Sequence, residues 1–581
     1  MICFPRNPVP GPWYSTCSAA LLSILLFAAI PAFVIAQNED KLSPNARAIE
    51  FISRHEAVVR PLELEINRLW WAANITGKEA DFQAKQAAEE KLDAYLADAA
   101  RFAELKAIKE AGVSDPLLAR QIHILYLQYL EKQVPRELLA RIVAKSNAIE
   151  RAFNVFRPKL GGQELTDNQV RRVLRESRDS SERRAVWEAG KAVGPVVLAD
   201  LLELIELRNQ AARHLGFSDY YAMRLVLLEQ DEKQLMKLFD ELEELTRGPF
   251  RRAKQEIDAA LAAAYGIAPE ELRPWHYHDP FFQEPPTVLG ELPDEIFRQL
   301  DPVDVCRRFY AGIGLPVDDV LQRSDLYERP GKNPHAFSQD MDREGDVRIL
   351  ENVVPGREWL TTTLHELGHA VYSKYTDRRL PYVLRTEAHP LCTEGIAMMF
   401  ERLAEDVDWL QAFGAKISEP ERFRAAARKL QRNRLLVFAR FAQVMFRFER
   451  EMYRNPRQEL NRLWWDMVEK YQEVRRPESR DAPDFAAKYH IVGAPAYYHN
   501  YMLGEMFASQ VYHALLHSLK DGGEVKRASV TRLIGNPAVG LFLRERVFAP
   551  GLSLDWNELT RHATGAELSP KAFAEDLQAT K

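Results

Sequence analysis

Two histidines four residues apart, with a glutamate beside the first, make His365-Glu366-Leu367-Gly368-His369 the most informative stretch of this 581-residue sequence. On a helix, residues i and i+4 project from one face, so both imidazoles can offer a nitrogen to a single zinc ion. Glu366 then stands where a carboxylate can take a proton from a water held by the metal. The flanks favour the helix. Leu360-Thr361-Thr362-Thr363-Leu364 leads in and Ala370-Val371-Tyr372 leads out, with no proline between Leu360 and Tyr372.

Catalytic zinc takes three protein ligands and keeps a fourth position for water. No third histidine follows closely, since Ser373-Lys374-Tyr375 stands there. The segment Arg385 to Glu401 offers Glu387, His389, Glu394 and Glu401 as donors. Pro390 and Thr393 read as a helix start and Ala397 to Leu403 as its apolar continuation, which sets Glu394 in the first turn. Glu394 is the expected third ligand and the other three are its rivals. None of these ligands is a cysteine, which argues against a closed structural zinc site.

The stretch from His335 to Phe400, and more loosely most of the chain after its leader, resembles the angiotensin-converting enzyme family of zinc peptidyl-dipeptidases. In that family an Arg, an Ala, a Pro and a final Glu keep the relative places held here by Arg385, Ala388, Pro390 and Glu394, and the resemblance selects Glu394 over its rivals. It also implies that His335-Ala336 binds substrate just before an edge strand, for which Asp346-Val347-Arg348-Ile349-Leu350 is a candidate. Trp70 to Thr76 and Leu207 to Ala212 fit the family loosely. A second block is Lys488-Tyr489-His490-Ile491, followed by Tyr497-Tyr498-His499-Asn500-Tyr501. By resemblance, Lys488 and Tyr497 grip the free C-terminal carboxylate of a peptide, His490 bonds its backbone, and Tyr501 stabilises the oxyanion. Aligning Tyr501 needs a one-residue insertion, so Tyr498 competes. The residue types suit these roles: an ammonium for a carboxylate, and hydroxyl or imidazole donors where negative charge develops.

The chain also departs from the family. Where an aspartate that orients a zinc-bound histidine is expected, four residues after the third ligand, Met398 stands. That support is therefore missing or comes from another carboxylate, a loss that can cost roughly 10–100-fold in affinity or rate. The arginine linked to chloride activation falls near His499, so chloride dependence does not carry over. The glutamine that helps hold the substrate carboxylate has no clear counterpart, and Tyr277 is offered instead. A cysteine pair around the His-Ala strand is replaced by Pro334 and Asn352.

Elements that could position such a site run through the rest of the chain. Lys85 to Ala107, Asp231 to Ala264 and Glu421 to Tyr453 have helical periodicity and are rich in strong helix formers. The expected fold is mainly α: one large helical ellipsoid of two halves around a deep active-site cleft, with a small β element next to the zinc helix. Residues 1–36 read as a signal peptide, from the apolar run Ala19 to Ala36 and the small-residue site Val34-Ile35-Ala36. Uncleaved, that run would be a membrane anchor. Residues 37–581 form the expected catalytic domain. Only Cys306 and Cys392 lie beyond the leader, so at most one disulfide can form. Pro274 to Pro286 is an irregular insertion whose His276, His278 and Asp279 read as a loop packed on the cleft wall rather than a metal site.

A formal net charge of −6 with both signs interspersed argues against nucleic-acid binding. The expectation is a secreted or periplasmic enzyme with one zinc ion, acting on short peptides and releasing C-terminal dipeptides. The alternatives are a thimet-type oligoendopeptidase and a binding protein on a decayed peptidase scaffold.

Overall fold

The computed structural model describes residues 42–519 and 530–578. The signal-peptide and anchor readings fall on residues 1–36, outside the described ones. The described chain is mainly α, and its only sheets are two antiparallel two-stranded ladders. None of its helices is long and apolar enough to cross a membrane.

Local sequence sets the helix ends. The helix Pro44–Thr76 starts with proline in its first turn and with Ser43 Oγ accepting from the Ala46 amide at 3.3 Å. It stops at Gly77, where φ is +65° and a Cβ would lie 2.2 Å from the Gly331 carbonyl oxygen. The single helix expected over Lys85 to Ala107 is two, Glu79–Leu96 and Ala99–Glu110. Asp98 divides them, because its side chain accepts from the Arg101 amide at 2.8 Å and caps a new helix. The other two long helices are Glu232–Tyr265 and Pro420–Arg454, close to their expected bounds.

The ladder beside the candidate site pairs Phe337–Asp340 with Val347–Leu350, in the register Phe337 with Leu350 and Asp340 with Val347. Val347, Ile349 and Leu350 are fully buried and seat it against the helix Arg357–Tyr375. That helix carries both histidines. It begins at Gly356, where Asp294 Oδ1 takes the Arg357 amide at 3.1 Å. Leu360, Leu364, Leu367 and Val371 have no solvent exposure, so it runs through the interior. One large apolar cluster extends from Ile149 to Leu577, and a smaller one joins the N-terminal helices through Phe51, Leu105, Leu125 and Tyr129 to Val383 and Leu384.

Candidate metal centre and substrate clamp

Glycines bring three helices together at the site. These are the His365 helix, the Glu394 helix Pro390–Glu401 and the Tyr501 helix His499–Ser518. A Cβ on Gly368 would lie 2.8 Å from Ala397 Cα, and one on Gly395 would lie 2.7 Å from the Gly504 carbonyl oxygen. A larger residue at either place would wedge backbones apart. The Glu394 helix starts at Pro390, as expected, and His389 Nδ1 caps it by accepting from the Leu391 amide at 3.0 Å.

His365 Nε2 and His369 Nε2 lie 3.2 Å apart. Two corners of a tetrahedron with metal–nitrogen bonds of about 2.0–2.1 Å are about 3.3 Å apart. Glu394 Oε2 is 3.7 Å from the first nitrogen and 4.0 Å from the second. The far nitrogens are engaged elsewhere: His365 Nδ1 lies 3.0 Å from Glu401 Oε2, and His369 Nδ1 lies 2.7 Å from Thr393 Oγ1. Both Nε2 atoms therefore face one point together with the carboxylate. Glu394 is 2 % exposed, and its Oε2 is buried without a hydrogen-bond partner, a costly arrangement unless a cation completes it. Burial pushes its carboxyl up to about 8; His365 opposes the shift, while Glu366, Glu401 and Glu505 add to it. Burial likewise depresses His365, but Glu401, Glu366 and Glu394 overcome this and raise it to about 9. Two nitrogens, one oxygen and surplus negative charge fit a divalent zinc ion.

The rival ligands have other partners. Glu387 accepts from the Thr386 hydroxyl at 2.5 Å, His389 caps its helix, and Glu401 lies on the Nδ1 edge of His365. Glu366 is buried beside the cluster, and its charge reinforces the upward push that burial exerts on Glu351, to about 8.

The second arrangement centres on Lys488, which follows a short 3₁₀ turn at Asp484–Ala487. It is 5 % exposed, and its Nζ donates to Gln283 Oε1 at 2.6 Å. The ammonium lies 5.0, 5.3 and 5.4 Å from the ring centres of Phe441, Phe281 and Tyr498. The Tyr498 hydroxyl reaches the same Gln283 oxygen at 3.5 Å, and the His490 ring packs edge-on against Tyr498 at 5.2 Å. Tyr498, which the sequence offered as the rival of Tyr501, thus lies beside Lys488. The Tyr497 hydroxyl is buried without a hydrogen-bond partner on the side where the Glu394 charge reaches it. Tyr501 packs against both rings at 5.5 Å. Tyr277 belongs elsewhere: it donates to Asp258 at 2.9 Å and accepts from Lys254 at 2.8 Å.

Gln283 is the residue that sequence reasoning missed. It lies in the irregular insertion, where no periodicity marks a position, and only its contact with Lys488 reveals it. The insertion's histidines are pinned within the fold, His276 against Ser180 and His278 between Tyr265 and Thr287, each at 3.0 Å. Asp279 accepts from the Phe281 and Gln283 amides, which shapes the loop.

Buried polar groups fix the Lys488 loop from behind. Arg208 Nη2 donates to the Val492 carbonyl at 2.9 Å, and Glu449 accepts the Ala496 amide at 3.0 Å, where φ is +53°. His499 meets Gln230 Oε1 at 2.8 Å, and Gln230 donates to Asn500 Oδ1 at 2.6 Å, so an uncharged network occupies that position. His335 is exposed and Ala336 half-buried at the head of the strand Phe337–Asp340. Cys306 and Cys392 are free and buried.

A family model described as angiotensin-converting enzyme matches residues 42–249 and 291–576. Gln283 and its insertion fall in the unmatched gap. The angiotensin-converting enzyme of Theromyzon tessulatum is 21 % identical over 445 residues, covering 71 % of this chain and 70 % of that protein. That of Sus scrofa is 24 % identical over 438 residues, covering 68 % of this chain and 32 % of that protein. The chain thus spans about a third of the length of the mammalian relative.

Proposed function

Because the chain belongs to the angiotensin-converting enzyme family, we propose that it is a zinc metallopeptidase that releases dipeptides from the C-terminal ends of short peptides. The observation that carries this reading is a buried ammonium, Lys488, bonded to Gln283 and lying over the ring of Tyr498, which stands three residues before Tyr501. An endopeptidase has no use for such a carboxylate clamp.

His365, His369 and Glu394 would hold the zinc. When bound, zinc supplies Lewis acidity, lowering the pKa of water in its open position to about 7 and polarising a carbonyl. Glu366 accepts the proton released as water attacks the peptide carbonyl, then delivers it to the amine as the C–N bond breaks. Tyr501 and His490 donate hydrogen bonds to the carbonyl oxygen as it gains charge. Lys488 and Tyr498 bind the substrate's terminal carboxylate, with the Gln283 carbonyl steadying the ammonium. His335 and Ala336 bind the peptide main chain. The leader sequence supports work outside the cytoplasm, secreted or periplasmic, with residues 37–581 as one catalytic domain.

Glu366→Gln tests the central role. Turnover should fall about 10²–10⁴-fold while zinc, measured by atomic absorption, stays bound one to one. Zinc lost together with activity would make Glu366 a structural residue and defeat the assignment.

A further inference from the structure

His365 meets Glu401 near the end of the Glu394 helix, while His369 meets Thr393 near its start, so the two helices run antiparallel across the Gly368–Ala397 contact. Glu401 follows Glu394 by seven residues, two helical turns, which sets both carboxylates on one face. Between them on that face stands Met398, whose thioether accepts hydrogen bonds only weakly.

Glu401 uses both oxygens. Oε2 lies 3.0 Å from His365 Nδ1, and Oε1 faces Arg434 Nη1 at 3.8 Å. Arg434 Nη1 is in turn 3.9 Å from Glu405 Oε1. A neutral imidazole carries one N–H, and placing it at Nδ1 leaves the Nε2 lone pair facing His369 and Glu394.

We propose that Glu401 is the positioning residue of the metal centre, fixing His365 as its Nδ1–H tautomer from the last turn of the helix, where an aspartate at position 398 would act from a turn earlier. The inference rests on the zinc reading of His365, His369 and Glu394. It replaces one reading of the sequence, that Glu401 competes as a ligand, because its contact is to the ring edge opposite the ligating nitrogen.

Zinc affinity, measured by competition with a chromophoric chelator, tests it apart from turnover. Glu401→Ala should bind zinc about 10–100-fold more weakly, and adding Met398→Asp should recover part of that loss by restoring a carboxylate to the same face. Circular dichroism of the metal-free proteins checks that each is folded. If Glu401→Ala does not fold, Glu401→Gln takes its place with the same expectation of weaker binding. Unchanged affinity in a folded variant would overturn the inference, and so would a loss that Met398→Asp leaves untouched. Failure of the unsubstituted protein to bind zinc would overturn the metal centre and the inference with it.

Discussion

At the scale of single residues, the proposed carboxylate clamp rests on a lysine that water barely reaches. Burial pushes Lys488 down to about 8, with Asp279 and Glu284 opposing the shift. Its ordinary value is 10.5, so the unliganded site keeps the ammonium charged below about pH 8 and loses it as pH rises through that value. A carboxylate clamp built on this group should weaken in the same window. kcat/KM for peptides with a free C-terminus is expected to fall above about pH 8, a fall that Lys488→Met should abolish. Lys488→Met should itself raise KM by roughly 10–150-fold, the range of a charge-assisted hydrogen bond worth about 1.5–3 kcal/mol. A steady profile through pH 9 in the unsubstituted protein would contradict the role of Lys488. The sequence made the two histidines and Glu366 legible because all lie within five residues of one helix. Tyr498 and Gln283 were less so: the sequence offered Tyr498 only as the rival of Tyr501, and Gln283 is brought to Lys488 from 205 residues away.

At the scale of elements, the site depends on how closely three helices approach. A Cβ on Gly395 would come within 2.7 Å of the Gly504 carbonyl oxygen and 2.8 Å of Phe507 Cδ1. The ring can turn aside but the backbone cannot, so Gly395→Ala should cost about 1–3 kcal/mol of stability and weaken zinc binding by moving Glu394. Gly190→Ala is the control, because its Cβ would meet only Val170 Cγ1, at 3.6 Å. That change should be neutral or stabilising by up to about 1 kcal/mol. Denaturant unfolding of both variants, with zinc titration, checks the contrast, and equal behaviour would refute the packing argument. Helix periodicity located Glu232–Tyr265 and Pro420–Arg454 to within a residue at each end, but did not mark Pro44–Thr76. It ran Lys85 to Ala107 across the break between Glu79–Leu96 and Ala99–Glu110, because Asp98 reads as one more polar position on a helix face until its capping bond to Arg101 is seen. Glu401 shows the same limit: its type marked it as a metal donor, and only the antiparallel crossing shows which edge of His365 it meets.

At the scale of the whole molecule, family membership and site geometry meet in different parts of the chain. The family match covers the helices that carry His365, His369 and Glu394 and the loop that carries Lys488, yet leaves out residues 250–290, where Gln283 lies. Gln283, which meets Lys488, therefore lies outside the matched ranges, so the proposed exopeptidase action needs a test of its own. The most direct measurement is mass spectrometry of the products from a peptide set, each peptide supplied with a free and an amidated C-terminus, with and without a zinc chelator. Successive, chelator-sensitive loss of dipeptides from free ends alone is expected of an enzyme that releases C-terminal dipeptides. Internal cuts indifferent to amidation, or no cleavage by protein with zinc confirmed bound, would contradict that reading.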